Sequence, residues 1–311
     1  MSIKNLFLKP STREFIAESR KVPGFGLFDL IHGLIYARWT NLYIAIGTGR
    51  HPLARVYHRL QAVLPPLFRR RIGDGNKPRT SFAEGYHGKV VPLGSARQLV
   101  SIQEDINLPD LEQVIPYNSA RAIVLKNPDH IVALDCPCRV SRQNPCLPLD
   151  VCLIVGEPFA GFVREHHPDK SREITRQQAL DILEAEDRRG HVHHAFFKDA
   201  MLGRFYAICN CCACCCGAMQ AQRNGTPMLA SSGYVAFIDE GACITCGACE
   251  ASCQFEAIAT PDGVSVVDDE KCMGCGVCVG QCSQEAIQMR REESKGEPLE
   301  IFQLMEQAGK H

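Results

Sequence analysis

The chain has 311 residues, 45% of them hydrophobic and 22% charged, with a net charge of −1 and 18 cysteines. That balance excludes disordered and collagen-like classes and leaves an ordinary globular protein with room for about two domains. The near-zero total conceals a gradient: residues 1–79 carry +10 and residues 232–311 carry −9, a basic head and an acidic end suited to different partners or to each other.

The amino terminus, Met1-Ser-Ile-Lys-Asn-Leu-Phe-Leu-Lys9, lacks the apolar core of about 7–15 residues that an export signal needs. The expected setting is a reducing cytoplasm, in which thiolates serve metals rather than crosslinks. Composition separates a basic amphipathic helical region (1–79), a Cys-rich mixed α/β domain (80–231), a third region with two dense cysteine runs (232–290) and a charged tail (291–311). The expected fold class is α+β.

In the first region Leu27, Leu30, Ile31, Leu34 and Ile35 recur at helical spacing. Leu53, Val56, Tyr57, Leu60 and Val63 repeat the pattern until Pro65-Pro66 stops it, so two amphipathic helices are predicted. The stretch from Gly24 to Gly47 is apolar, but Asp29 and Arg38 would each cost about 2.5–3.5 kcal/mol near a bilayer centre, which argues against a spanning helix. A helix lying on a membrane surface survives that objection. Trp39, Tyr36 and Tyr43, followed by Arg50, Arg55 and Arg59, suit an interface, and residues 24–71 are the segment concerned. Packing on the rest of the protein or on a partner subunit is the alternative. Ile44-Ala-Ile-Gly47-Thr-Gly49 has two glycines of a dinucleotide loop, but Pro52 stands where the third would fall. Arg69-Arg70-Arg71 through Pro78 reads as a basic, turn-rich linker.

In the middle region Asn118 is expected to cap a helix through Lys126, and Ile131-Val-Ala-Leu134 reads as a strand running into Cys136-Pro-Cys138-Arg139. Val151 to Val155 is a further strand. Thr175 with Gln178 forms a capping box opening a helix that Gly190 closes. Arg204 to Ile208 is a strand running into Cys209-Asn-Cys211-Cys212-Ala-Cys214-Cys215-Cys216. If these strands are neighbours in one sheet, the thiols converge. With Cys146 and Cys152 there are ten cysteines here, more than one metal centre needs, so some are spare, outer or redox-active. Cys211 and Cys212 point apart in an extended chain and are not expected to share a metal.

The Cys-Pro-Cys-Arg segment with the later cysteine run is similar to the front domain of a poorly defined iron–sulfur protein family of anaerobes. A third [4Fe–4S] cluster, a zinc site and thiol redox chemistry or packing all remain open for Cys136, Cys138, Cys146, Cys152, Cys209, Cys211, Cys212, Cys214, Cys215 and Cys216. Arg139 would stabilise thiolates or a cluster's negative charge, or sit on a surface loop. His191, His193 and His194 offer a nitrogen ligand or are merely partly exposed; His166-His167 is a weaker pair.

Cys243-x2-Cys246-x2-Cys249-x3-Cys253 is repeated as Cys272-x2-Cys275-x2-Cys278-x3-Cys282, offset by 29 residues, and Asp239/Asp268 and Glu256-Ala-Ile258/Glu285-Ala-Ile287 extend the repeat. A duplicated strand–loop–helix unit explains this. Three cysteines at x2 intervals wrap three corners of a cubane, with Gly247, Gly274 and Gly276 permitting tight backbone turns. This resembles the bacterial two-[4Fe–4S] ferredoxins, which implies a (βαβ)2-like dicluster domain. The resemblance implies that the fourth cysteine, expected at the start of the next helix, ligates the other cluster. Cys243, Cys246, Cys249 and Cys282 then hold one [4Fe–4S] cluster, and Cys272, Cys275, Cys278 and Cys253 the other. Gln254 and Ser283 replace the proline common after the fourth cysteine, and could hydrogen-bond near a sulfur or face water.

The function expected is the relay of single low-potential electrons to or from a redox partner protein or oxidoreductase complex. A reductase whose Cys-rich front domain does chemistry fed by the ferredoxin end is the alternative, and no catalytic residue is singled out. No nucleic-acid partner is expected. Besides the cytoplasm, the cytoplasmic face of a membrane is the other expected location, through residues 24–71.

Overall fold

The computed structural model describes residues 9–56, 59, 86–116 and 122–309. Its centre is a mixed sheet in the order β2-β3-β4-β7-β6-β1-β8. The strands are β1 (Tyr86–Val91), β2 (Ile106–Leu108), β3 (Ile123–Leu134), β4 (Cys152–Glu157), β6 (Val192–Lys198), β7 (Arg204–Cys211) and β8 (Leu229–Ala230), with β5 (Ser171–Ile174) paired to the end of β3. Neighbours run antiparallel except β1 and β8.

The sheet is covered on both faces, which explains why its central strands read as apolar runs. Along β4, Cys152 and Ile154 enter one core while Leu153 and Val155 enter the other, the period of two that strands impose. The first face is covered by α1 (Pro10–Ser19), α2 (Leu27–Arg38) and α3 (Thr40–Gly47) through Phe15, Tyr36 and Ile44. On the second, α4 (Leu93–Val100) and a later helix over Arg176–Arg188 bury Leu99 and Leu183. Between these, α5 (Pro137–Val140) and α6 (Phe159–His166) follow β3 and β4, so the Arg176–Arg188 helix is α7, and α8 (Gly217–Arg223) follows β7.

The capping box behaves as expected: Thr175 Oγ1 accepts from the Gln178 N–H at 3.2 Å and Gln178 Oε1 accepts from the Thr175 N–H at 2.9 Å. The expected helix from Asn118 to Lys126 is not formed where it can be followed, because Ile123–Lys126 belong to β3, pairing with β2 and β4; Asn118 itself lies outside the described residues. β-Branched Ile123 and Val124 fit the half-buried pleat, and cross-strand pairing decides the state. Of the second amphipathic pattern, Leu53 and Val56 are helical, while Tyr57, Leu60, Val63 and the basic linker lie outside the described residues.

The amino-terminal helices are tied to the sheet by charge as well as packing. Gly33 of α2 approaches Ala200 so closely that a Cβ would meet its carbonyl oxygen at 2.3 Å. Asp29, buried rather than exposed, caps the same helix by accepting from the Gly26 N–H at 2.8 Å. Glu18 of α1 accepts from Lys126 at 2.8 Å and Arg204 at 3.0 Å on the sheet and from Lys21 at 2.6 Å. Burial alone would raise this carboxyl, but the three donors hold it at about 2. A carboxylate held low in the folded state adds stability that is present above its unfolded pKa and lost as pH falls through the folded value. Glu18→Gln should therefore cost about 2–3 kcal/mol at pH 7, and the gap should narrow steadily below pH 4.5, read from urea midpoints.

After β8 the chain enters β9 (Tyr234–Ile238), α9 (Ala248–Ser252) and β10 (Ile258–Ala259), then repeats the order in β11 (Val266–Val267), α10 (Val277–Gln281) and β12 (Ile287–Arg291). β9 pairs with β12 and β10 with β11, both antiparallel. The last segment contains α11 (Ile301–Ala308), and its Leu299 and Ile301 are buried in the second core. The acidic end thus folds back on the middle sheet.

Candidate metal centres

The 29-residue repeat extends to individual hydrogen bonds. The Asp239 N–H donates to Ala286 O at 2.8 Å and the Asp268 N–H to Ala257 O at 2.7 Å, so each half completes the other. The N–H groups of Cys243 and Cys272 donate to Asp239 O and Asp268 O at 3.0 and 2.9 Å. Gly247 and Gly276, both with positive φ, open the short helices. At Gly274 (φ +66) a Cβ would lie 2.1 Å from Tyr234 O, so only glycine lets this loop pass under β9.

Cys253 and Cys282 lie at the ends of α9 and α10, not at the starts of helices as the sequence suggested. The third cysteine of each run already sits inside the helix, and four residues make about one turn. Residues 236–259 and 265–288 each match the 4Fe-4S binding domain. No curated protein matches the sequence. The two matched repeats are iron–sulfur binding units and follow the Cys-rich region in the chain.

The repeats are alike in sequence and unlike in surroundings. Cys246 and Ile244 of the first loop are exposed. In the second loop, Met273 and Cys275 pack with Val277 against the first core of the middle domain. Cys253, Cys272, Cys275 and Cys278 line one cavity. Burial, then the neighbouring Cys272, Cys253 and Cys249, push the Cys278 thiol up to about 12; metal binding would reverse this by replacing the proton. Backbone N–H groups point at three sulfurs of the two runs: Thr245 at Cys243 (3.4 Å), Ala236 at Cys272 (3.5 Å) and Ala257 at Cys253 (3.2 Å). Such donors stabilise thiolates.

Gln254, beside Cys253, is half-buried, and its amide is engaged by the middle domain. Its Oε1 accepts from the Ala213 N–H at 2.9 Å and its Nε2 donates to Gly190 O at 3.0 Å. It ties the end of the first cysteine run to the backbone between Cys212 and Cys214.

The ten middle cysteines fall into two groups. Cys146, Cys212, Cys214 and Cys215 have sulfurs within 4.8 Å of one another. Four thiolates around one ion with metal–sulfur bonds of about 2.3 Å stand about 3.8 Å apart, so the quartet is compact enough for a single ion. Within it Cys215 is held low: burial opposes the charge, but the Cys146 N–H and the thiols of Cys212, Cys146 and Cys214 stabilise it. Burial and then Cys214 raise Cys146 to about 11.

The other six, Cys136, Cys138, Cys152, Cys209, Cys211 and Cys216, line a cavity of about 410 Å³ on the first face of the sheet. β4 lies between β3 and β7, with Cys152 paired to Leu134 on one side and Cys209 on the other. The strands thus do converge their thiols, and the strand after Arg204 continues through Cys211 rather than stopping before Cys209. Cys211 and Cys212 part as expected, one into each group. The Gly47-Thr-Gly49 segment ends α3 at the cavity wall, with no strand before it.

Arg139 is not on a surface loop. It is 1% exposed and donates to Glu186 Oε2 (2.6 Å), Asn210 O (3.0 Å) and Pro148 O (2.5 Å). His191 contacts Glu186 and Arg139, and His193 contacts Asn210, so both orient this network. His166 and His167 serve the amino-terminal helices, through Thr12 Oγ1 (2.9 Å) and Ala37 O (2.7 Å). Arg50 and Tyr36, expected from the sequence at a membrane interface, turn inward: Tyr36 is buried in the first core, and Arg50 donates to Cys138 O (3.0 Å) and Cys215 O (2.8 Å) and so spans both groups. A lone arginine after a turn carries no signal of that role.

Proposed function

We propose that the protein transfers single electrons through two [4Fe–4S] clusters, one on Cys243, Cys246, Cys249 and Cys282 and one on Cys272, Cys275, Cys278 and Cys253. The observation that carries this reading is the cavity shared by Cys253 with the three cysteines of the other run, the exchange expected of duplicated ferredoxin loops. The order of the relay follows from exposure. The first cluster, at the loop of exposed Ile244 and Cys246, meets the redox partner, and the second, packed against the Cys-rich domain, passes electrons across the Gln254 contact. Exposed Asp239, Glu240 and Glu250 near the first loop favour a basic docking face on that partner.

Anaerobic purification followed by iron and sulfide analysis and EPR-monitored redox titration tests the reading. The ferredoxin end alone contributes about eight iron atoms per chain; a total near four would overturn it. The reductase alternative gains from one feature, the large cavity lined by thiols at the inner end of this route.

The basic head is proposed to touch the cytoplasmic face of a membrane. No helix among the described residues is long and apolar enough to cross one. Leu27, Phe28, Ile31, Ile35, Trp39 and Leu42 are all at least 40% exposed along α2 and α3, with Arg38 and Arg55 exposed nearby. That combination suits an anionic surface. The full chain should sediment with vesicles containing phosphatidylserine and be released by salt, and Ile31→Asp/Trp39→Asp should lose binding by tenfold or more; sedimentation unaffected by both would remove the proposal.

A further inference from the structure

We propose that Cys136, Cys138, Cys152, Cys209, Cys211 and Cys216 hold an iron–sulfur cluster of their own, distinct from the site at Cys146, Cys212, Cys214 and Cys215. This inference stands on the middle domain alone and does not need the electron route through the ferredoxin end. The six cysteines are strung around one cavity: Cys152 on β4 is the register partner of Cys209 on β7, Cys211 lies two residues further along β7, Cys136 and Cys216 cap α5 and α8, and Cys138 lies within α5. Among the described residues only the other quartet gathers its sulfurs within 4.8 Å of one another. A string of six around an open space is too many thiols and too wide for one zinc or iron ion, whose four sulfurs stand about 3.8 Å apart. A polynuclear iron–sulfur cluster spreads its thiolates over several irons, and it suits soft ligands in an apolar chamber.

Two further features fit a negatively charged cluster. Arg50 donates its hydrogen bonds to Cys138 O, Cys215 O, Ser141 Oγ and Gln220 Oε1. A half-buried cation held by neutral acceptors at the rim of both thiol groups offsets thiolate charge. The Gly217 N–H donates to the Cys138 sulfur at 3.4 Å, as donors around cluster sulfurs do. His194 is fully buried opposite Cys209 in the β6–β7 register, and neither of its ring nitrogens has a hydrogen-bond partner among the described residues. Cross-strand partners share a face of the sheet, so this imidazole lies on the same face as Cys209, behind the residues that line the cavity.

Iron, sulfide and zinc analysis with EPR on the anaerobically purified full chain, C146S/C214S and C136S/C209S decides the matter. C146S/C214S removes the more exposed quartet and should retain iron clearly above the about eight atoms of two cubanes. C136S/C209S should lose at least about four iron atoms relative to the unsubstituted chain while the ferredoxin signals persist. Iron of only about eight in C146S/C214S, iron unchanged in C136S/C209S, zinc in place of the extra iron, or six thiols that oxidise freely to disulfides would each overturn the proposal. If C136S/C209S does not fold, C146S/C214S decides alone. Failure of the electron-transfer reading looks different: the ferredoxin signals would be missing from all three proteins, whatever the iron held in the middle domain.

Discussion

Removing Cys253 should extinguish the same cluster that is lost with Cys275 and Cys278, and removing Cys282 should extinguish the other. Cys253 lies four residues after Cys249, so its position in the chain would assign it to the first loop. Yet it shares a cavity with Cys272, Cys275 and Cys278, and its thiol is among the neighbours that raise Cys278. The expected result for Cys275→Ala/Cys278→Ala is a loss of about four iron atoms. EPR of the reduced protein should change from the broadened spectrum of two nearby spins to that of one isolated cluster. Cys253→Ala should reproduce the same residual spectrum, that of the exposed cluster, and Cys282→Ala should leave the spectrum of the inner one. If Cys253→Ala instead left the inner cluster intact, the exchange of ligands would be wrong. Gln254→Ala is the companion variant: it removes two hydrogen bonds to the middle domain without touching a sulfur. It should leave iron content unchanged and slow electron arrival in the Cys-rich domain.

What was legible in the sequence was what short-range geometry dictates. The x2-x2-x3 spacing and the 29-residue offset specify a local loop and its copy, so the duplicated unit could be read directly. Period two along an extended segment separates Cys211 from Cys212, and the structure sends them to different groups. The adjacent Cys214 and Cys215 obey no such rule, because a turn rather than a strand carries them, with sulfurs 3.8 Å apart. Long-range pairing was not legible. Nothing local to Cys152 announces that β4 will place it between Leu134 and Cys209, and nothing in Cys146 points to Cys214, 68 positions away and 3.2 Å distant. The helix expected through Lys126 failed for the same reason: sheet neighbours overrode local propensity. Nothing local to Arg139 separates a thiolate partner from a surface residue, because its acid, Glu186, is brought to it only by the packing of α7.

That pair carries the largest stability effect expected outside the cysteines. Arg139 and Glu186 are 1% and 0% exposed and 2.6 Å apart. Further partners surround both: Pro148 O and Asn210 O accept from the terminal nitrogens of the guanidinium, whose Nε has no hydrogen-bond partner among the described residues, and Arg189 and His191 serve the carboxylate. Burial would raise the Glu186 carboxyl, but His191 and Arg139 outweigh it and hold it below its ordinary range. Its stabilisation is therefore present above the unfolded carboxylate pKa and lost on acidification through the lower folded value. Glu186→Ala strands a buried guanidinium and should destabilise the middle domain by about 3–5 kcal/mol, whereas Arg139→Met/Glu186→Leu, which removes both charges, should cost far less. Because Arg139 follows Cys138 within α5 and holds the carbonyl of Asn210 between Cys209 and Cys211, the single variant should also scatter the thiols. Thermal unfolding under argon and iron content would be followed together. If the double variant recovers stability but not iron, the ion pair positions the cysteines and is more than a support for the fold.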